Sequence, residues 1–181
     1  MVAGQRLSIV GPSGSGKTTL SKRVATELNM PRLELDSLRH QPNWTALDPE
    51  VFRQRVRSFV DQPRWVTDGN YTAIKALDVI WARADHVIWL DLPRHRTFPR
   101  VVWRTLRRAL TREELWNGNR ERLAPLLSLD RDENFWLWVW DNHAHVREKY
   151  ERRTVEAKWS HLEVTRLRDV RAIERWLSSL A

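Results

Sequence analysis

The sequence predicts an α/β sandwich of three layers, with helices on both faces of one five-stranded parallel sheet. Three observations predict it. Short apolar runs alternate with amphipathic segments along the 181 residues, which is the pattern of βαβ units. The first run opens directly into a glycine-rich turn, and the next three end at Asp36, Asp68 and Asp91. The 6 Gly and 8 Pro fall at element ends, with no internal repeat and no low-complexity linker, so residues 1–181 read as a single domain.

The elements follow in order. Arg6 to Val10 is a short buried strand, and Lys17 to Asn29 is a helix with Leu20, Val24 and Leu28 on one face, stopped by Pro31. Arg32 to Leu35 is a second strand. Asp48-Pro49-Glu50 starts a helix that runs to about Val60, because Asp caps the free amides and Pro fits the first turn. Arg64 to Thr67 is the third strand, followed by a short helix near Ala73 to Arg83. His86 to Leu90 is the fourth strand, and a long helix runs from about Arg96 to Leu110. Thr111 to Glu121 is polar and reads as a loop or lid. Glu133 to about Ala157 is helical, with Trp136, Trp138 and Trp140 expected in the core. His161 to Val164 is the fifth strand. Asp169 caps a last helix through Leu180, with Val170, Ile173, Trp176, Leu177 and Leu180 facing inward. The right-handed crossover rule gathers the strand ends, and so Asp36, Asp68, Asp91 and the glycine-rich turn, at one edge of the sheet.

Composition removes several classes. There is no Cys, which excludes disulfides, thiolate metal sites and a Cys nucleophile. No apolar run approaches the roughly 20 residues that span a bilayer, so no membrane partner is expected. The start of the chain lacks the features of a secretory signal, and a cytoplasmic home is the expectation. Lys plus Arg total 31 against 23 Asp plus Glu, a net +8, which predicts an anionic partner. Residues 94–122 hold nine Arg, three Glu and neither Lys nor Asp, so a balance of +6 lies on one helix and the lid after it.

Gly11-Pro12-Ser13-Gly14-Ser15-Gly16-Lys17-Thr18 fits G-x-x-x-x-G-K-[ST] without a mismatch. The glycines let backbone amides wrap around phosphates, and the following helix adds its positive N-terminal end. Lys17 would reach the β- and γ-phosphates and the Thr18 hydroxyl would sit on Mg²⁺. Gly11 to Thr18, with Thr19, are therefore the candidate ATP-binding residues. The context agrees, because an apolar strand precedes the motif and an amphipathic helix follows it. No Asn-Lys-x-Asp guanine motif is present, and the length suits a compact kinase.

With Asp36-Ser37-Leu38-Arg39, Asp68-Gly69-Asn70-Tyr71 and Leu90-Asp91-Leu92-Pro93 added to that loop, the chain resembles the adenylate kinase group of P-loop kinases. Through Trp65 to Tyr71 and Asn117-Gly118-Asn119-Arg120-Glu121 it is similar to the bacterial topology modulation group. The resemblance implies a P-loop NTPase sandwich of the nucleoside monophosphate kinase type with a helical lid. It implies that Asp36 and Arg39 face the acceptor, that Asp68 holds Mg²⁺ through water, and that Arg100 and Arg104 steady the transferring phosphoryl group. Two departures matter. Glu34-Leu35 stands where the family has Thr-Gly, and Asn70-Tyr71-Thr72 where it has Phe-Pro-Arg, so an acceptor-gripping Arg is missing and AMP is in doubt. Asn70 takes that place facing the acceptor.

The residues read alone agree in part. Arg96, Arg100, Arg104 and Arg107 or Arg108 share one face of the long helix, opposite Phe98, Val102, Leu106 and Leu110. Guanidinium groups suit bidentate phosphate contact. Asp36 can orient an acceptor hydroxyl as its base, and Arg120 in the lid can close onto the ATP phosphates. Asp91 reads as structural. Arg166 and Arg168, after the fifth strand, read first as solvated residues at a helix start, with the adenine side, implied by the resemblance, as the alternative. His143 and His145 are two apart and point in different directions, so they form no metal pair. The expected function is ATP- and Mg²⁺-dependent phosphotransfer to a small-molecule or nucleotide acceptor. The alternative is a nucleic-acid-binding P-loop ATPase or regulator of DNA topology, drawn from the basic stripe.

Overall fold

A computed structural model describes residues 5–121 and 135–180. Arg122 and Glu133, the expected ends of the basic lid and of the aromatic helix, lie outside the described residues, as does most of the segment between the lid and that helix. Strands β1 (Arg6–Val10), β2 (Arg32–Glu34), β3 (Trp65–Asp68), β4 (His86–Leu90) and β5 (Glu163–Leu167) form one sheet in the order β2-β3-β1-β4-β5. Every neighbouring pair is parallel. The helices are α1 (Lys17–Glu27), α2 (Leu35–Arg39), α3 (Pro49–Val60), α4 (Ala76–Trp81), α5 (Arg94–Thr111), α6 (Phe135–Arg153) and α7 (Val170–Ser178).

Strand alternation separates two cores. Leu7, Ile9, Val66, Ile88 and Leu90 point to one face, where Leu20 and Val24 of α1 and Leu177 of α7 cover them. Val10, Trp65, Val87 and Trp89 point to the other, against Phe52, Val56 and Val60 of α3, Leu77, Ile80 and Trp81 of α4, and Val146 and Tyr150 of α6. Two of the buried indoles find partners for their N–H groups. Trp65 donates to the Val60 carbonyl at 3.1 Å and Trp81 to Ser8 Oγ at 3.2 Å.

Several sequence expectations change. The chain after β2 turns at once into α2, so Asp36 sits inside a helical turn rather than beyond a strand. The described part of the lid is a 3₁₀ turn, Trp116–Gly118, clipped by an antiparallel bridge between Glu114 and Arg120. On α5 the buried face is Thr97, Val101, Thr105 and Ala109, and Leu110 is 77% exposed. The tryptophans of α6 are not core: Trp138 is 55% and Trp140 44% exposed, and Arg94 lies 4.5 Å over the Trp140 ring. Helical pitch is the reason. Residues two apart are rotated by roughly 200°, so the buried stripe is Val139, His143, Val146 and Tyr150 at helical spacing instead. No helix among the described residues is long and apolar enough to cross a membrane.

Both acidic caps form. Asp48 Oδ1 accepts the amides of Glu50 at 2.8 Å and Val51 at 3.1 Å, and Asp169 Oδ1 accepts that of Ala172 at 2.8 Å. Asp48→Ala and Asp169→Ala should each cost about 1 kcal/mol of unfolding free energy. The caps serve helices on opposite faces of the sheet, so in denaturant titrations the double variant should lose the sum of the two.

Candidate active site

The loop between β1 and α1 takes its shape from close backbone approach. Gly11 has φ +144°, and a Cβ on it would lie 2.4 Å from the Leu90 carbonyl oxygen. Gly14 has φ +76°, and its Cβ would lie 2.4 Å from the Thr97 carbonyl oxygen of α5. Only glycine fits both places. Inside the loop one backbone bond forms, from the Ser15 amide to the Pro12 carbonyl at 3.3 Å. The other amides at the loop and first helical turn are the donors that a helix N-terminus leaves free for an anion. Ser15 Oγ is buried and has no partner. Lys17 folds back over the loop, its Nζ donating to the carbonyls of Gly11 and Pro12 at 2.9 Å each. Burial lowers its pKa from 10.5 to about 8; Asp36 and Asp68 oppose the shift and Arg104 adds to it.

Asn70 fixes the loop from the side. Its Oδ1 accepts the Gly11 amide at 3.2 Å and its Nδ2 donates to the Gly11 carbonyl at 2.6 Å. Tyr150 of α6, wholly buried, donates its hydroxyl to the same Oδ1 at 2.9 Å. Asn70 was expected to face an acceptor. Instead both ends of its amide are committed to the backbone of Gly11.

The carboxylates collect at the strand ends. Asp68 is 3% exposed and accepts from Ser21 Oγ and from Arg32 at 3.2 Å, while Ser21 also donates to the Thr18 carbonyl at 3.1 Å. Burial raises the Asp68 pKa, against the pull of Ser21 and Arg32. Arg32 also bonds Glu34 at 2.8 Å. Asp36 Oδ1 accepts the Tyr71 hydroxyl at 2.7 Å, and His40 Nε2 lies 3.5 Å from that hydroxyl. Burial raises the pKa of Tyr71, and the Asp36 charge beside it adds to the rise. The Tyr71 hydroxyl therefore stays protonated and keeps donating.

Helix α5 closes the site from above. A cavity of about 350 Å³ runs from Gly14, Ser15 and Gly16 past Arg100 and Arg104 to Leu20 of α1 and Val170 and Ile173 of α7. Its rim carries the Arg23–Glu174 pair, bidentate at 2.6 and 2.9 Å. Burial of the Arg104 head, with Arg108 beside it, lowers its pKa, while Asp36, Glu121 and Glu34 raise it. Arg104 thus shares a cavity with Gly14, Ser15 and Gly16 and feels the charge of Asp36.

The predicted residues divide accordingly. The loop from Gly11 to Thr19, Asp36, Asp68, Arg100 and Arg104 gather at one end of the sheet. Arg39 is turned away, its guanidinium donating to the Leu47 carbonyl. Arg120 lines a separate cavity with Asn43, Trp44 and Arg112. Arg166, a candidate for the adenine side, is held by Asp91 at 2.6 and 2.9 Å and by Glu151 at 2.7 Å, its Cζ 4.0 Å from the centre of the Trp89 ring. Sequence reasoning missed Tyr71, Tyr150 and Ser21. For Ser21 and Tyr71 a signal existed, since one lies on the helix of the loop motif and the other follows Asn70. Tyr150 had none.

The family profile described as an AAA domain matches residues 7–113, more than half of the chain. The chain belongs to that AAA-domain family. No curated protein matches its sequence. In fold this AAA-domain protein is similar to the shikimate kinase from Acinetobacter baumannii solved in complex with shikimate. That match has TM-score 0.56 and 17% identity and covers 96% of this chain and 89% of that one. A shikimate kinase from Bacteroides thetaiotaomicron aligns with TM-score 0.53 at 17% identity, covering 98% and 96% of the two chains. A sugar kinase from Janibacter sp. aligns with TM-score 0.52 at 20% identity, covering 96% and 92%. The AAA-domain chain thus has the α/β fold of P-loop kinases, with an all-parallel five-stranded sheet.

The lowered pKa of Lys17 makes stability depend on pH. Between about 8 and 10.5 the unfolded chain holds the proton of Lys17 and the folded chain does not. The ligand-free protein should therefore gain stability from this group as pH rises through that window. Urea titrations of the wild type and Lys17→Met read it: the wild type should gain on the variant across the window. A difference that stays flat would show that Lys17 is not held in a desolvated state.

Proposed function

We propose that the protein is an ATP-dependent phosphotransferase whose acceptor presents a hydroxyl to Asp36. One observation carries this reading. The Tyr71 hydroxyl holds Asp36 Oδ1 at 2.7 Å, in a place where the Asp36 charge raises the pKa of both Lys17 and Arg104. A carboxylate placed there is not needed to bind a nucleotide, and it is suited to orienting a hydroxyl against a terminal phosphoryl group.

The phosphates would lie on the amides of Ser13, Gly14 and Gly16 to Thr19, and Lys17 would exchange the carbonyls of Gly11 and Pro12 for phosphate oxygens. The nucleoside would occupy the cavity between Leu20 and Val170–Ile173. Thr18 and Asp68 fit Mg²⁺, because a hydroxyl and a carboxylate are hard oxygen donors and Ser21 ties the Thr18 carbonyl to Asp68. When bound, Mg²⁺ neutralises charge on the β- and γ-phosphates. Tyr71 fills Asp36 Oδ1 and so leaves Oδ2 for the acceptor. Asp36 takes the hydroxyl proton as the acceptor oxygen bonds to the γ-phosphorus and the bond to the ADP oxygen breaks. Arg100 and Arg104 stabilise the charge on the transferring group. Arg39 and Asn70 contribute as braces of the acceptor segment and of the loop.

The finer family placement, in the topology modulation group, is supported by the Trp65 to Tyr71 and Asn117 to Glu121 segments alone. The neighbours' names support a small hydroxylated acceptor in general and not a particular one.

The test is Mg²⁺-dependent ATP consumption in the presence of hydroxylated metabolites and nucleosides. Lys17→Ala should abolish it. Asp36→Asn should lower kcat by about 10²–10⁴-fold at unchanged ATP affinity. Arg104→Ala should lower kcat by about 10²–10³-fold. No acceptor raising consumption, together with DNA retained in a gel shift at moderate salt, would favour the nucleic-acid reading instead.

A further inference from the structure

A second cavity, of about 450 Å³, is lined by Asn43, Trp44, Arg112, Asn119, Arg120 and Glu121 among others, and includes no residue of the phosphate loop. Its size falls within the range of small-molecule sites. Its walls are two 3₁₀ turns, Pro42–Trp44 and Trp116–Gly118. Asn119 stitches them together: Oδ1 accepts the Trp44 amide at 2.8 Å, and Nδ2 donates to the carbonyls of Gln41 at 2.9 Å and Trp116 at 2.8 Å. The Trp44 indole donates to the Arg120 carbonyl at 3.0 Å. Asn117 adds bonds to the carbonyls of Ser37 at 3.1 Å and His40 at 2.5 Å. Asn43, Trp44 and Arg112 all hold left-handed backbone, at φ 59°, 59° and 50°. Three such non-glycine residues at one cavity are uncommon, and conformations of this kind gather at ligand clamps.

The charges of the cavity are unevenly answered. Glu113, the acid beside Arg112 in sequence, is held by Arg107 at 2.5 Å and lies 3.9 Å from Arg108. Burial raises the pKa of Glu121, the one acid among the described residues of the cavity wall, while Arg108 and Arg104 of α5 draw it down. Among the described residues Arg112 and Arg120 form no ion pair. Two guanidinium groups without an acidic partner among the described residues, beside an indole and an amide wall, are the chemistry of oxyanion recognition.

We propose that this cavity is a second oxyanion site, independent of the phosphate loop, which holds the phosphate or carboxylate group of a small metabolite between Arg112 and Arg120. The turn carrying Trp44 continues the segment headed by Asp36, so the metabolite belongs to the acceptor side of the cleft. That placement rests on the kinase reading; the binding does not.

The test uses the full chain labelled with 5-fluorotryptophan, the Trp44 ¹⁹F signal being identified by its loss in Trp44→Phe. Inorganic phosphate and malonate are titrated separately, into the wild type and into Lys17→Ala, which lacks the loop's main cation. The Trp44 signal should shift saturably in both backgrounds. Its midpoint should rise by about tenfold or more in Arg112→Gln/Arg120→Gln and recover in part with Arg120→Lys. A response to phosphate alone identifies a phosphomonoester, and an equal response to malonate a carboxylate. ATP binding by the double variant reports that it is folded, and the exposed single Arg120→Gln gives the same reading if it is not. A Trp44 signal that does not move, or a midpoint unchanged by removing both arginines, overturns the proposal. Turnover without this binding would leave the kinase reading standing, and binding without turnover would leave this site standing.

Discussion

The backbone of Gly11 is the constraint on which the active end of the molecule depends. It touches β4 through the Leu90 carbonyl, so closely that no side chain is possible. Asn70, after β3, bonds both its amide and its carbonyl. Tyr150 of α6 holds Asn70, and Lys17 of α1 caps the same carbonyl. Two strand ends, two helices and the loop therefore share one residue, through the two peptide groups that flank it. A phosphate loop works because its amides are already aimed before the anion arrives, and this convergence is what aims them.

Charge is organised around the same point. The site crowds Lys17, Arg104 and the carboxylates of Asp36 and Asp68 into a region with little water. Burial penalises the charged forms, so the Lys17 pKa falls and the Asp68 pKa rises even though the opposite charges beside them oppose both shifts. A polyphosphate would reverse the Lys17 effect by restoring an anion beside it. The basic stripe seen in the sequence is thus not one surface. Arg100 and Arg104 line the phosphate-loop cavity, Arg94 covers Trp140, Arg107 pairs with Glu113, and Arg112 and Arg120 line the second cavity.

Much of this was legible in the sequence where the physics is local. The glycine spacing of the loop, both Asp caps, the five strands and the stripe that brings Arg100 and Arg104 to the cavity beside the loop follow from periodicity and from backbone chemistry within a few residues. What failed depended on contacts distant in sequence. Asn70 looked like an acceptor residue because nothing nearby showed that Gly11 and Tyr150 would occupy it. Arg166 looked free until β5 placed it against Asp91 and Trp89. The α6 tryptophans were misread because hydrophobicity was weighed above helical phase. Arg39 follows from the family pattern and Arg120 from its place in a polar lid, and local turns at Leu47 and Trp44 carry them elsewhere.

The account turns on where the γ-phosphoryl group goes. The direct measurement is to supply γ-³²P-labelled ATP and Mg²⁺ with a pool of hydroxylated metabolites and to separate organic phosphate from inorganic phosphate. The account predicts label in an organic product with the wild type, and loss of that product with Asp36→Asn while slow release of inorganic phosphate continues. Label appearing only as inorganic phosphate, at the same rate with and without the Asp36 carboxylate, would contradict it.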